Sequence, residues 1–586
     1  MTDTLTVILD DAVAGTVSRL QGGRLRFDYD DAYRAIPSAT PLSVSMPKSV
    51  RTHSDGVITP WLWGLLPDNE AVLARWARDF HTSASPFALL STPIGHDCAG
   101  AVRFAESDEV DDLIAQPGKV TWLSEHDVAQ RLRELQEDST SWLGRDFSGQ
   151  FSLAGAQAKT ALLFQEGRWG LPSGSAATSH ILKPAVAGFD EHDLNEHLCL
   201  DAARRAGLVV ARTRIGQFEE ESAIVVDRYD RRLVEGELIR IHQEDMSQAL
   251  GVHPERKYQN RGGPGPADIA RLMRDVMPAR AANDAVWRFF DALAWNWLIV
   301  GTDAHAKNYS LLLAAADVRL APLYDIASAL PYGTPERKLR FAMKIGGDYR
   351  VLPYHNTWPA AARELGLDPD AAQQRLLELA QRAPDAFAEV AAGPDVTALN
   401  RPLPDRLVGL VADRAKRCLA ILGDTSAGVG SVRPDAYEER LAEIVEAMSP
   451  QKLEPASGPP LIRQTVHALN EAVAASPRDL SLVRERTVEL AASALRAVRA
   501  IGEVEPPPGF ANPTTERLPG MIDDYAPNIA NLPIASEDPV GRFADEMVKA
   551  ANRYVDADPC SIYGSAQERL RALLRVIGLA GRGLSL

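Results

Sequence analysis

Cysteine is scarce in this chain, and no metal or disulfide framework can be built from what there is. The four cysteines, Cys98, Cys199, Cys418 and Cys560, stand far apart among 586 residues and form no CxxC pair. That spacing excludes a zinc knuckle and a disulfide-stapled fold, and suits a reducing compartment. Long apolar runs are also missing. No stretch of about 18 apolar residues occurs, so no transmembrane helix is expected. The opening "MTDTLTVILDDAVAG" carries acids where a secretory leader carries bases, which predicts a cytoplasmic protein. Positive charge is in deficit, with a formal net charge of −16. Non-specific nucleic-acid binding needs clustered cations along the phosphate path, so direct DNA binding is not expected.

What remains is ordinary globular composition, 45% hydrophobic and 24% charged. At this length it implies two to four domains rather than one core. The first hundred residues read as β-rich. "TLTVILD" and "GGRLRFDYD" alternate apolar and polar positions around a Gly-Gly turn, and "PDNEAVLARWARDF" follows as a helix with Asp68 or Asn69 as cap. An acidic stretch from Glu106 to Thr121 marks a soft boundary. Beyond it "TALLF", "HILKP" and "SAIVVDRYD" read as strands and "NEHLCLDAARRAGL" as a helix, with long helical patterns after Asp268. Strands first and helices later imply two lobes with a cleft between them. From Asp424 the texture changes to a Gly/Ser-rich linker and helical stretches broken by proline, without a catalytic constellation.

Four features of the middle region carry chemistry, and each also has a plainer reading. "FSLAGAQAKTALLF" sets a small-residue turn around Gly155 before a strand, where backbone amides can approach phosphate oxygens. Lys183 ends the strand "HILKP", either as a snorkelling surface lysine or as an ammonium held against phosphates. Glu196, near a helix start, is either a first-turn charge favoured by the helix dipole or the carboxylate that holds that lysine. In "VGTDAHAKNYS", Asp303 and Asn308 have the Asp-x4-Asn spacing of a protein-kinase catalytic loop, in which the Asp accepts a hydroxyl proton and the Asn holds metal. Asp325 follows 17 residues later in "LAPLYDIAS". Two oxygen ligands plus phosphates suit Mg²⁺, whereas His305 finds no His or Cys cluster for zinc. Loop, Lys, Glu, Asp-x4-Asn and Asp in this order point to phosphoryl transfer.

On these segments, together with "WLWGLLPDNEAVLARWA", "IGHDCAGAVRF", "DRYDRR" and "KYQNRGGPG", the chain resembles the HipA-type toxin serine/threonine kinases over roughly its first 420 residues. The resemblance implies an α+β, bilobed protein kinase-like fold. Residues 1–106 would be a β-rich N-terminal subdomain, 107–423 the kinase core, and 424–586 a helical extension that the usual family member lacks. It implies Mg·ATP-dependent phosphorylation of a protein serine or threonine, with an aminoacyl-tRNA synthetase as the typical target and growth arrest as the result. A HipB-like helix-turn-helix antitoxin would be the partner, with DNA reached only through it and no membrane involved.

Residue by residue, the loop of Ala154, Gly155, Ala156, Gln157 and Lys159 would cover the ATP phosphates, and Lys183 would contact them. The backbone of Asp227, Arg228 and Tyr229 would form the adenine hinge. Asp303 would be the base, Asn308 and Asp325 the metal ligands, and His305 and Lys307 supports of the loop and nucleotide. Ser152 would be an inactivating autophosphorylation site. The rivals are a small-molecule or lipid kinase, and a pseudokinase scaffold. Retention of Lys183, Asp303, Asn308 and Asp325 together speaks against the scaffold. Apolar stripes in the tail predict a helical domain docked on the kinase.

Overall fold

The computed structural model describes residues 4–423 apart from 117, 145–148, 187, 235–236, 316 and 352–356. The expected docking of the tail from Asp424 lies outside the described residues.

Strands β1 (Thr4–Leu9), β2 (Ala12–Arg19), β3 (Leu25–Tyr29), β4 (Thr52–His53) and β5 (Arg103–Ala105) form one sheet in the order β4-β3-β2-β1-β5. The alternation in β3 buries Leu25, Phe27 and Tyr29 and turns Arg26 outward, as a half-buried strand requires. Helix Asp55–Leu65 and helix Glu70–Asp79 cover the sheet. The second begins at Asn69, whose side chain accepts the Ala71 amide at 3.0 Å. With Asn69 as the cap, Asp68 is left outside the helix and free for other work.

A second antiparallel sheet has the order β10-β11-β9-β7-β8-β6, from β6 (Lys119–Leu123), β7 (Thr160–Gln165), β8 (Arg168–Ser173), β9 (His180–Pro184), β10 (Thr213–Phe218) and β11 (Glu221–Asp227). Helix Glu125–Glu137 packs Val128, Ala129 and Leu132 on it. The apolar cluster of the first sheet does not stop at residue 106: it takes in Leu135, Trp142, Phe151, Leu153 and Ala161.

The helical lobe is organised around helix Ala279–Ile299, buried along nearly its whole length, with helices Pro369–Ala391 and Leu403–Leu422 beside it. Helix His192–Arg205 buries Leu198 and Ala202 as its periodicity predicts. No helix among the described residues is long and apolar enough to cross a membrane.

Candidate active site

Helix Ala279–Ile299 ends abruptly at Val300, which takes left-handed backbone angles (φ 58°). A β-branched residue there is strained by roughly 1–3 kcal/mol. Gly301 follows because a Cβ at that position would lie 2.1 Å from the Asn296 carboxamide oxygen. This sharp exit throws the segment Thr302–Asn308 into the space between the lobes, before strand Ser310–Leu313 pairs with His242–Asp245.

Asp303 is exposed at the surface of this segment. One of its carboxylate oxygens, Oδ1, accepts the Tyr258 hydroxyl at 2.8 Å. Crowding by protein pushes its carboxyl up, against the pull of the Tyr258 bond, with the Asp325 charge adding to the push. Burial drives the His305 imidazole down to about 3, helped by the Lys257 charge, so it is neutral throughout the working pH range. Asn308 turns its amide nitrogen toward the Asp325 carbonyl at 3.5 Å, which leaves its carboxamide oxygen for another ligand.

Lys183 and Glu196 are both buried, and the lysine bridges two carboxylates: Glu196 at 2.8 Å and Asp325 at 2.9 Å. Burial pulls the ammonium down, but Asp325 and Glu196 outweigh it and hold Lys183 above its ordinary value. In turn Lys183, then Lys159, overrule burial at Asp325 and hold that carboxyl well below the usual range. Asp325 does not sit on a strand. It follows the single bridge Val210–Leu323 and has left-handed angles (φ 58°), a second strained residue at the same place. Glu196 is the fifth residue of helix His192–Arg205, one turn too far in for the first-turn helix-dipole role; it is the lysine's partner instead.

The small-residue loop lies against the entry to helix Glu70–Asp79, with Gly155 bridged to Pro67, and leads into β7 of the second sheet. Gly155 has φ 108°, and a Cβ on it would lie 2.6 Å from Lys159 Nζ. Lys159 folds back onto the Ala154 carbonyl at 2.6 Å and over the Trp142 ring at 5.0 Å. Burial and the neighbouring Lys183 charge lower it to about 8. Ala156 is the exposed tip, and Gln157 reaches the Pro184 carbonyl at 3.5 Å. Ser152 is fully buried, its hydroxyl donating to the Leu65 carbonyl at 2.9 Å and its amide to the Asp97 carbonyl at 2.9 Å. At the far end of the cleft, the amides of Asp227 and Arg228 donate to the Arg212 and Ser179 carbonyls, each at 2.9 Å. The Arg228 guanidinium is locked on Asp230 and Asp97. The Tyr229 ring lies 5.7 Å from that of Tyr324.

Asp68 is the residue that sequence reasoning missed. Its carboxylate binds Lys307 Nζ at 2.6 Å and Lys257 Nζ at 2.7 Å, and its amide donates to the Gly155 carbonyl at 2.9 Å. Those two ammoniums overcome burial and set its carboxyl at about 2. These partners lie 239 and 189 residues away, so only its redundancy as a second candidate cap hinted at another task.

The Asp325 carboxylate, 41% exposed, and the Asn308 carboxamide oxygen are hard oxygen donors at an open mouth. They fit Mg²⁺, which keeps most of its waters. Among the described residues no group of three or more His, Cys, Asp or Glu could cage a metal.

A lysine clamped between a helix glutamate and an aspartate, opposite an Asp-x4-Asn segment in a cleft between a β-lobe and a helical lobe, defines a protein-kinase-like phosphotransferase. The comparisons agree. Residues 5–105 match the HipA N-terminal domain and residues 151–387 the HipA-like C-terminal domain. The chain is 34% identical to Y4mE of Sinorhizobium fredii over 415 residues, 70% of this chain and 97% of that protein. It is 28% identical to the serine/threonine-protein kinase toxin HipA of Shewanella oneidensis over 374 residues, 60% of this chain and 81% of that one. One chain of the Shewanella oneidensis MR-1 toxin–antitoxin complex of HipA, HipB and operator DNA superposes with a TM-score of 0.61 at 25% identity, covering 72% of this chain and 98% of that one. The chain belongs to the HipA-type toxin kinases and is a protein-serine/threonine kinase.

One expected result follows from the lysine clamp. Lys183→Met leaves Glu196 buried without its cation, and Glu196 Oε2 already has no protein partner. Breaking such a pair costs roughly 3–5 kcal/mol, readable as a lower melting temperature at pH 7.5. Because the folded Asp325 carboxyl is held low, the stability it supplies is present above the ordinary carboxylate range and lost as pH falls. The gap between wild type and variant therefore narrows as pH drops below about 4. A gap that is constant with pH would mean that the clamp contributes nothing electrostatic.

Proposed function

We propose that this kinase transfers the γ-phosphoryl group of Mg·ATP to a serine or threonine of a translation protein, an aminoacyl-tRNA synthetase by resemblance, and that growth arrest results. The observation that carries the reading is the convergence of Lys183, Asp325, Asn308 and Asp303 on one cleft. Asp303 would take the acceptor proton, while Asn308 and Asp325 would hold Mg²⁺. The ion, when bound, would neutralise charge on the β- and γ-phosphates. Lys183 and the loop Ala154–Lys159 would face the phosphates. The Tyr229 amide, which has no hydrogen-bond partner among the described residues, would read adenine. Lys307 and neutral His305 would support the catalytic segment.

Ser152 would be the regulatory autophosphorylation site. A HipB-like helix-turn-helix protein is proposed as antitoxin, because the similar Shewanella oneidensis HipA occurs in a complex with HipB and operator DNA. The net charge of −16 favours DNA contact through that partner rather than by this chain.

Purified protein incubated with γ-labelled ATP and cell lysate tests the reading. Label on a protein of synthetase size is expected. Label on a lipid or metabolite would favour the small-molecule rival, and no label at all the scaffold.

A further inference from the structure

The loop following helix Met246–Ala249 meets the segment Thr302–Asn308 at three points: the Tyr258 hydroxyl on Asp303, the Tyr258 ring on His305, and the Lys257 carbonyl on the Ala306 amide. We propose that Tyr258 is a positioning residue for phosphoryl transfer. By holding Oδ1 of Asp303 it fixes the carboxylate plane and presents Oδ2 to the acceptor hydroxyl, and Asp68 holds Tyr258 there through Lys257. The inference rests on the reading of Asp303 as the base.

Three observations separate this from an incidental surface contact. First, the ring is seated: it packs edge-on against His305 with centroids 4.9 Å apart. The Tyr258 carbonyl is also tied to the Gly263 amide at 3.0 Å. Second, the residues on either side of Tyr258 are anchored to different elements. Lys257 is bound to Asp68 at 2.7 Å and its carbonyl accepts the Ala306 amide at 3.4 Å, while the Gln259 side chain accepts the Lys344 amide at 2.6 Å. Third, Asp68 grips Lys307 at 2.6 Å with its other oxygen. One carboxylate thus fixes both the Tyr258 loop and the catalytic segment, while its own amide holds Gly155 of the small-residue loop.

A general base works only when a lone pair is aimed at the proton it takes. A base carboxylate at an exposed position is free to rotate unless a third group holds it. Tyr258 supplies that third group. The same anchoring argues against Tyr258 as a phosphate acceptor, since an acceptor has to move toward the nucleotide and this one is pinned on both sides.

Full-length wild type, Tyr258→Phe, Lys257→Met and Asp303→Asn are compared for γ-phosphoryl turnover, to water and to added casein together, with ATP affinity measured separately. The expected result is a fall in kcat of about tenfold or more for Tyr258→Phe, at the low end of what general-base positioning contributes. KM and affinity for ATP should stay within about twofold. Lys257→Met should fall in the same direction, and it reads the same effect if Tyr258→Phe folds poorly. Wild-type kcat in both variants overturns the proposal. So does a rise in KM for ATP that matches the fall in kcat, which would signal general damage to the cleft. Phosphate found on Tyr258 itself by peptide mapping overturns it in favour of an acceptor. Turnover retained in Asp303→Asn would instead remove the base assignment, a failure separable from that of Tyr258.

Discussion

Asp303→Asn loses protein phosphorylation, by at least the roughly 10²- to 10⁴-fold attributable to general-base catalysis, while its affinity for ATP stays close to wild type. The carboxylate's hydrogen-bond partner is Tyr258, which is not among the groups assigned to nucleotide binding. Lys183 remains clamped to Glu196 and Asp325 in the variant, and Asn308 keeps its place beside the Asp325 carbonyl. An interaction made mainly in the transition state lowers turnover when removed and spares ground-state binding. Radiolabel transfer and calorimetric titration with ATP check the two halves separately. Growth arrest on overexpression should disappear with the activity. Arrest that persists in Asp303→Asn would show that toxicity does not come from phosphoryl transfer.

Phosphorylation at Ser152 weakens ATP binding by more than tenfold. Ser152 has no exposed surface, and its hydroxyl spends its hydrogen bond on the Leu65 carbonyl. A phosphate there adds about −1.5 to −2 charges at a buried position held between the Leu65 carbonyl and the Asp97–Cys98 backbone. Burying that charge unpaired costs several kcal/mol, well above the 1.4 kcal/mol that tenfold represents. The segment must therefore leave its seat, carrying Gly155 and Lys159 away from the cleft. Modification also requires the segment to leave first, because a hydroxyl with no exposure cannot reach a γ-phosphate. Ser152→Asp imitates the charge, whereas Ser152→Ala loses only a hydrogen bond worth about 0.5–1.5 kcal/mol and should keep ATP affinity near wild type. Unchanged ATP affinity in a homogeneously phosphorylated sample would end the regulatory reading.

Much of the frame was legible in the sequence, because strands and helices announce themselves locally. Alternation placed β1 and β3, short apolar runs marked β7, β9 and β11, and Asn69 was one of the two caps proposed for its helix. The order of Gly155, Lys183, Glu196, Asp303, Asn308 and Asp325 pointed to one site, and the fold brings Lys183, Glu196 and Asp325 into a clamp with Asn308 beside the Asp325 carbonyl. Two kinds of detail were not readable. Glu196 was placed one turn too early, because helix starts are poorly marked where the preceding residue, here Glu191, caps with no side-chain hydrogen bond. Asp68 and Tyr258 act through partners far along the chain, and no local pattern encodes a contact across 189 residues. "KYQNRGGPG" stood out only as a family segment; its tyrosine acquired a role once Asp303 was seen 2.8 Å away.

The core that runs past residue 106 bears on the timing of synthesis. β1 pairs with β5 across about a hundred residues, as in Thr6 with Ala105, so the first sheet cannot close early. Its apolar interior is finished only by Phe151, Leu153 and Ala161. Contacts this distant in sequence fold slowly, since chain closure precedes any reward. A chain emerging from the ribosome residue by residue therefore carries an incomplete first layer until some 50 further residues have followed β5. The loop that would cover ATP emerges with that closing segment. Its seat on the first layer is thus made long before Asp303, the proposed base, has been synthesised.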